Sequence, residues 1–165
     1  MKKNLFFILV AVLSMASCAF AAEWLQIGEK SYLDVSSKSP YDYRTNFDND
    51  KLYSIWKKSL NDGTNSWKDL EKTIGKKLWY NKALYVINCT KKEIGIKSVV
   101  YYDLKDNVAA NHDSLSLDWH SVVPETNGEL VYALVCNTYD NVQSKGNNKI
   151  IKTPAGVKIK VRSHK

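Results

Sequence analysis

The sequence predicts an α+β fold, mainly β, with one helix near its C-terminal end. Three observations carry this. Residues 83–89 (Ala-Leu-Tyr-Val-Ile-Asn-Cys) and 94–103 (Ile-Gly-Ile-Lys-Ser-Val-Val-Tyr-Tyr-Asp) are rich in β-branched and aromatic residues, with only four polar residues, Thr90 to Glu93, between them. That is a strong hairpin signal. Next, Thr126 and Glu129 form a Thr-x-x-Glu capping box directly before an apolar run from Leu130 to Cys136. Finally, Cys89 and Cys136 close these two segments and are the only cysteines beyond the leader.

Residues 1–21 read as a signal peptide. Lys2 and Lys3 precede a short apolar run, Leu5 to Leu13, and Ala19-Phe20-Ala21 is a small-x-small cleavage site. The run is too short to span a membrane, so cleavage after Ala21 is preferred to an uncleaved anchor. Lipidation at Cys18 is the other alternative, but Met15-Ala16-Ser17 is a poor lipobox without Leu at its first position. Cleavage removes Cys18 and leaves an even pair in an exported chain, which reads as a disulfide. Chain entropy over so long a loop suggests about 4 kcal/mol of stabilisation. Two buried free thiols are the alternative; a redox pair would want Cys-x-x-Cys.

Residues 22–143 are expected to form one β domain. Glu23 to Ile27 and Ser31 to Val35 flank Gly28-Glu29-Lys30 as a first hairpin. Ser36 to Pro40 reads as a loop. Tyr41 to Asp50 is polar and acidic, and Tyr41, Tyr43 and Phe47 either pin it to the sheet or form an aromatic recognition loop. Lys51 to Trp56 resumes β character. Asn61 to Asn65 is a turn. Ser66 begins a short helix with Asp69 in its first turn and Trp67, Leu70 and Ile74 at helical spacing, ending at Gly75. In the central hairpin, period 2 places Tyr85, Ile87 and Cys89 on one face. It likewise groups Ile94, Ile96, Ser98, Val100 and Tyr102, opposite Lys97 and Asp103. Leu104 to Val108 contains a polar turn, and Asp113 to Trp119 reads as a weak strand. The helix after Pro124 is apolar at every position from 130 to 136 and should be covered on most sides.

Residues 144–165 are a basic tail. Lys145, Lys149, Lys152, Lys158, Lys160, Arg162 and Lys165 face no acid there, whereas residues 23–143 hold 15 basic against 17 acidic side chains. The basicity therefore belongs to the tail, which argues against a nucleic-acid-binding domain. Val157, Ile159 and Val161 alternate with Lys158, Lys160 and Arg162. This suits an extra edge strand whose lysines discourage aggregation, a frayed terminus, or a contact for an anionic polymer.

Nothing marks an enzyme or a cofactor site. There is no Gly-x-Ser-x-Gly, phosphate-binding glycine loop or His-Glu-x-x-His. Asp118 and His120 would share a strand face and could bind a metal with His112 or Asp113, but solvated polar residues explain them as well. Asp48 and Asp50 lie in a loop, where solvation is the default. Asn88-Cys89-Thr90 matches a glycosylation sequon, which the bacterial-type leader makes accidental.

The features in order resemble the surface-adhesin protein E-like domain family of Gram-negative bacteria. They are a leader ending Ala-Phe-Ala-Ala-Glu-Trp, then Tyr32-Leu33-Asp34, Val86-Ile-Asn-Cys89, Tyr101-Tyr102-Asp103, Trp119 before Pro124, and Val135-Cys136. The resemblance spans residues 23–137. It implies a curved antiparallel sheet with a C-terminal helix tied to it by one disulfide, Cys89–Cys136. It also implies an exported, non-enzymatic binding protein, at the cell surface or in the periplasm, whose partner would be a host extracellular-matrix protein or an anionic envelope polymer. A periplasmic structural protein with no host ligand is the alternative. A dimer through exposed sheet edges is compatible with either.

Overall fold

The computed structural model describes residues 22–42 and 50–136, and the backbone of residues 143–145, 148–152 and 158–162. Six strands form an antiparallel meander in sequence order: β1 (Trp24–Gly28), β2 (Ser31–Pro40), β3 (Leu52–Leu60), β4 (Leu78–Asn88), β5 (Glu93–Asp103) and β6 (Val108–Asp113). A two-residue strand, β7 (His120–Ser121), pairs with the start of β5. Helix α1 (Asn65–Ile74) lies in the β3–β4 connection, and α2 (Asn127–Cys136) follows β7. The sheet is open, since β1 and β6 do not pair. Strands β8 (Gln143–Lys145), β9 (Asn148–Lys152) and β10 (Lys158–Arg162) form a separate small antiparallel sheet. The alternating stretch is thus a strand, but it pairs with β9 and is not an added edge of the main sheet.

One sheet face is covered by α2. Leu33, Ile55 and Ile87, from β2, β3 and β4, are at most 2% exposed and cluster with Ile27, Ile94, Leu130, Val131, Tyr132 and Val135. Leu33 pairs with Lys57, Ile55 with Tyr85 and Ile87 with Tyr53, so register and period 2 together aim all three the same way. The capping box forms with one variation. Thr126 Oγ1 accepts from the Glu129 amide at 3.4 Å, while the Glu129 carboxylate reaches one residue further back, to the Glu125 amide at 2.8 Å. Apolar residues on most sides of α2 are buried, including Ala133. Cys89 and Cys136 are joined as a disulfide, with Cα atoms 5.6 Å apart.

Several local expectations are corrected. Residues 36–40 are the second half of β2. Asp34 pairs with Trp56 but Ser39 with Ser54, so three extra residues bulge out of β2. The Ser37 hydroxyl donates to the Asp34 carbonyl at 2.7 Å and accepts from the Trp56 amide at 2.9 Å, replacing the lost ladder bond. Helix α1 begins at Asn65, which moves Asp69 out of the first turn. Its end is as expected: Gly75 adopts φ 75°, open to glycine without strain, and its amide reaches the Glu71 carbonyl. Residues 114–119 are not a strand. The strand is the earlier β6, and residues 114–119 fold back so that Leu117 lies over Gly95. A Cβ at Gly95 would meet the Leu117 side chain at 3.3 Å, so a larger residue there would push Leu117 outward.

The largest correction is a face reversal in β5. Leu84 pairs with Ser98 while Tyr85 pairs with Ile96, which makes Lys97 the extra residue of a bulge. Ile94 and Ile96 therefore share the α2 face with Tyr85, whereas Ser98, Val100 and Tyr102 point to the opposite face with Leu84, Lys82 and Tyr80. Lys97 closes the bulge by donating its ammonium to the Ser114 carbonyl.

Asp50 is not a solvated loop carboxylate. Its side chain is 9% exposed, accepts from Asn88 Nδ2 at 2.8 Å and lies 3.0 Å from the Lys91 ammonium. Asn88 is buried too, and its Oδ1 accepts from the Thr90 and Lys91 amides across the β4–β5 turn. The sequon asparagine is thus a turn staple, with both ends of its amide engaged. Asp48, Tyr43 and Phe47 lie outside the described residues.

These contacts predict an acid limit. The Asn88 hydrogen bond, then Lys91, holds Asp50 below the usual carboxylate range; Lys77 and the Leu78 amide do the same for Glu71, and the Asn107 amide for Asp103. A carboxylate depressed in the folded state contributes stability above its unfolded pKa of about 4, which is lost as pH falls through the lower folded value. Urea midpoints should be flat from pH 7 to about 5 and fall steadily below pH 4. A midpoint unchanged down to pH 2 would contradict this account.

Candidate functional site

The face opposite α2 carries a row of cations on an aromatic floor. Residues of even number in β3 and β4 reach it, and Lys58 and Lys82 stand directly across from one another in register. Like charges in that position repel. Four rings absorb the repulsion. Lys58 Nζ lies 4.9 Å from the Trp24 ring, 5.2 Å from Tyr32 and 5.7 Å from Tyr80. Lys82 Nζ lies 5.2 Å from Tyr102, 5.8 Å from Trp24 and 5.9 Å from Tyr80. All are within cation–π range.

Each ring is placed by the sheet. Trp24 reaches this face from β1, where it pairs with Asp34, and Tyr32 is the cross-strand partner of Lys58. Tyr80 and Tyr102 pair across β4 and β5 and stack with centroids 4.5 Å apart and planes 15° apart. The Lys97 bulge is what brings Tyr102 here. The Tyr80 hydroxyl donates to the Asp106 carboxylate. Asp106 sits at φ 63° in the β5–β6 turn, which is organised by Asp103 Oδ1 accepting from the Lys105 and Asn107 amides.

The electrostatics follow. Burial, then the neighbouring Lys82 charge, lowers the Lys58 pKa, and Asp106 pulls it back up. Burial and the Asp106 hydrogen bond raise the Tyr80 phenol well above its ordinary value, so it stays a neutral donor. Among the described residues, neither Lys58 nor Lys82 has a carboxylate within ion-pair distance. The two ammoniums keep donor capacity for an anionic ligand.

Of the sequence-predicted site residues, the structure brings together only the disulfide pair. Lys145, Lys149, Lys152, Lys158, Lys160 and Arg162 fall in β8, β9 and β10, with Lys158 in register with Lys152, but their side chains, and Lys165 entirely, lie outside the described residues. His120 Nε2 is 3.5 Å from Asp118 Oδ2, with both side chains largely exposed. Asp118 precedes β7 and does not share a strand with His120, while His112 and Asp113 belong to β6. Among the described residues, no three His, Cys, Asp or Glu side chains are grouped to hold a metal ion. The platform residues were missed because they come from five strands. Alternation marked each as facing one way, but only the registers and the bulge show that the faces coincide.

No family model matches the chain, and no curated protein does. Among solved structures the chain is similar to protein E of Haemophilus influenzae, at 11% identity over 71% of this chain and 86% of that one, with a TM-score of 0.46. A second crystal form of that protein gives 12% identity, 71% and 89% coverage and a TM-score of 0.43. Protein E from a non-typeable strain gives 12%, 72% and 78%, and 0.45. Among the described residues, no helix is long and apolar enough to cross a membrane.

Proposed function

We propose that this protein is an exported, non-enzymatic binding module whose open sheet face holds an anionic polymer of the host matrix or of the bacterial envelope. The observation that carries the reading is the Lys58–Lys82 pair, held in register on four aromatic rings with no carboxylate among the described residues within ion-pair distance. A sheet face that served only packing would not keep two facing ammoniums against the repulsion between them. The leader read in residues 1–21 supports a periplasmic or cell-surface location, and the basic tail would add attraction for the same class of partner.

The test is binding of the full-length mature chain to heparin, as a model acidic glycan, at low and at 0.5 M salt. The Lys58→Met and Lys82→Met double substitution keeps the alkyl stems over the rings while removing both charges. It should weaken binding about tenfold, equivalent to about 1.4 kcal/mol, and flatten the salt dependence. Full binding by the double variant, combined with loss on deleting residues 144–165, would move the function to the tail and overturn the role of the sheet face.

A further inference from the structure

The α2 face carries a second feature, separate from the platform. An open groove of about 290 Å³ lies beside the N-terminal half of α2, lined by Tyr85, Ile94, Ile96, Val122 and Val131 together with Lys57. Its volume is at the low end of small-molecule sites. The lining is apolar apart from that lysine and the rim. Lys57 is out of place there. Its neighbours in register, Leu33 and Ala83, are buried apolar residues.

Its surroundings do not neutralise it. Lys57 Nζ donates to the Ser59 hydroxyl at 3.0 Å and lies 5.6 Å from the Tyr85 ring. No carboxylate among the described residues comes within ion-pair distance of it. Burial alone lowers its pKa. A charge desolvated in this way destabilises the fold unless a counter-ion meets it. The other titratable groups in the lining are Tyr85, a phenol that burial pushes up and that stays neutral, and His120 at the exposed rim, where it faces Asp118.

We propose that the groove binds a carboxylate-headed acyl chain of medium length, with the Lys57 ammonium meeting the carboxylate and the chain lying along Tyr85, Ile94, Ile96, Val122 and Val131. Charge complementarity selects an acid over other apolar occupants, and the small volume selects a medium chain over a long one. The site uses the face opposite the platform, so the two readings stand or fall separately.

The probe is decanoate, compared with decan-1-ol, added to the full-length mature chain and followed by calorimetry and by backbone amide shifts. Decanoate should bind saturably and move the amides of Ile94, Ile96, Val122 and Val131, and the alcohol should bind about tenfold more weakly, as expected for losing one charge-assisted contact. Lys57→Met should bring the acid down to the affinity of the alcohol, and Lys57→Arg should keep the preference. Lys57→Met should also melt no lower than the parent chain, because it removes a desolvated charge; a merely structural lysine would lower it. Ile96→Trp, a change at a residue 42% exposed, should block both probes without unfolding the chain. Equal affinity for acid and alcohol, no saturable binding, or shifts confined to Lys58 and Lys82 on the other face would each overturn the proposal.

Discussion

Replacing both Cys89 and Cys136 by serine should lower stability by about 4 kcal/mol, the cost of releasing a loop of this length in the unfolded chain. The separation is 47 residues and encloses β5, β6, β7 and α2. The bond also does a local job. Helix α2 has ten residues, too few to persist alone in water, so it depends on docking. Cys136 is its last residue, and Cys89 opens the turn after β4, so the link pins the C-terminal end of the helix to the sheet. The Tyr132 hydroxyl, donating to the Cys89 carbonyl at 3.1 Å, adds a hydrogen bond at this end. A loss of about 4 kcal/mol corresponds to roughly 10 °C in Tm for a chain of this size. Urea unfolding of the double serine variant measures it directly. A loss under 1 kcal/mol would mean that packing alone seats the helix. Because Val131 lines the groove beside Lys57, loosening α2 should also weaken decanoate binding while leaving heparin binding intact.

Ile87→Ala should cost about 3–4 kcal/mol. Ile87 is fully buried, pairs with Tyr53 and Ile94, and belongs to the cluster that joins Leu33 and Ile55 to Val131 and Val135. Removing its outer carbons leaves a cavity that a sheet ladder on both sides cannot close. Ile96→Ala is the control. It lies two residues along β5 from Ile94 on the same face but is 42% exposed, and it should cost under about 1 kcal/mol. Equal losses at the two positions would mean that the helix face is not the core. Neither variant should change heparin affinity, since neither side chain reaches the platform.

Much of the architecture was legible in the chain. The central hairpin, the first hairpin around Glu29-Lys30, the Gly75 stop of α1 and the Thr126–Glu129 start of α2 are local signals. Each depends on residues within a few positions of one another, which is the range over which backbone preference acts. The Cys89–Cys136 link followed from cysteine number and compartment, which need no coordinates. Helix α2 shows where period alone would have failed, because an unbroken apolar run suits a buried strand as well as a buried helix. Its cap decided the matter.

What the sequence by itself determined, then, was the kind of elements, their order and one covalent tie. What only the tertiary structure decided was which faces meet. Three extra residues in β2 and one in β5, at Lys97, shift side chains from one face to the other, and a bulge leaves no mark that distinguishes it from ordinary alternation. Without the Lys97 bulge, Tyr102 would sit on the helix face with Ile96, and Lys82 would lose its nearest ring. Register between strands is set by long-range pairing and by turns of particular length. The platform of Lys58, Lys82 and their rings, and the lone Lys57 on the other face, therefore exist only once the strands have chosen their partners.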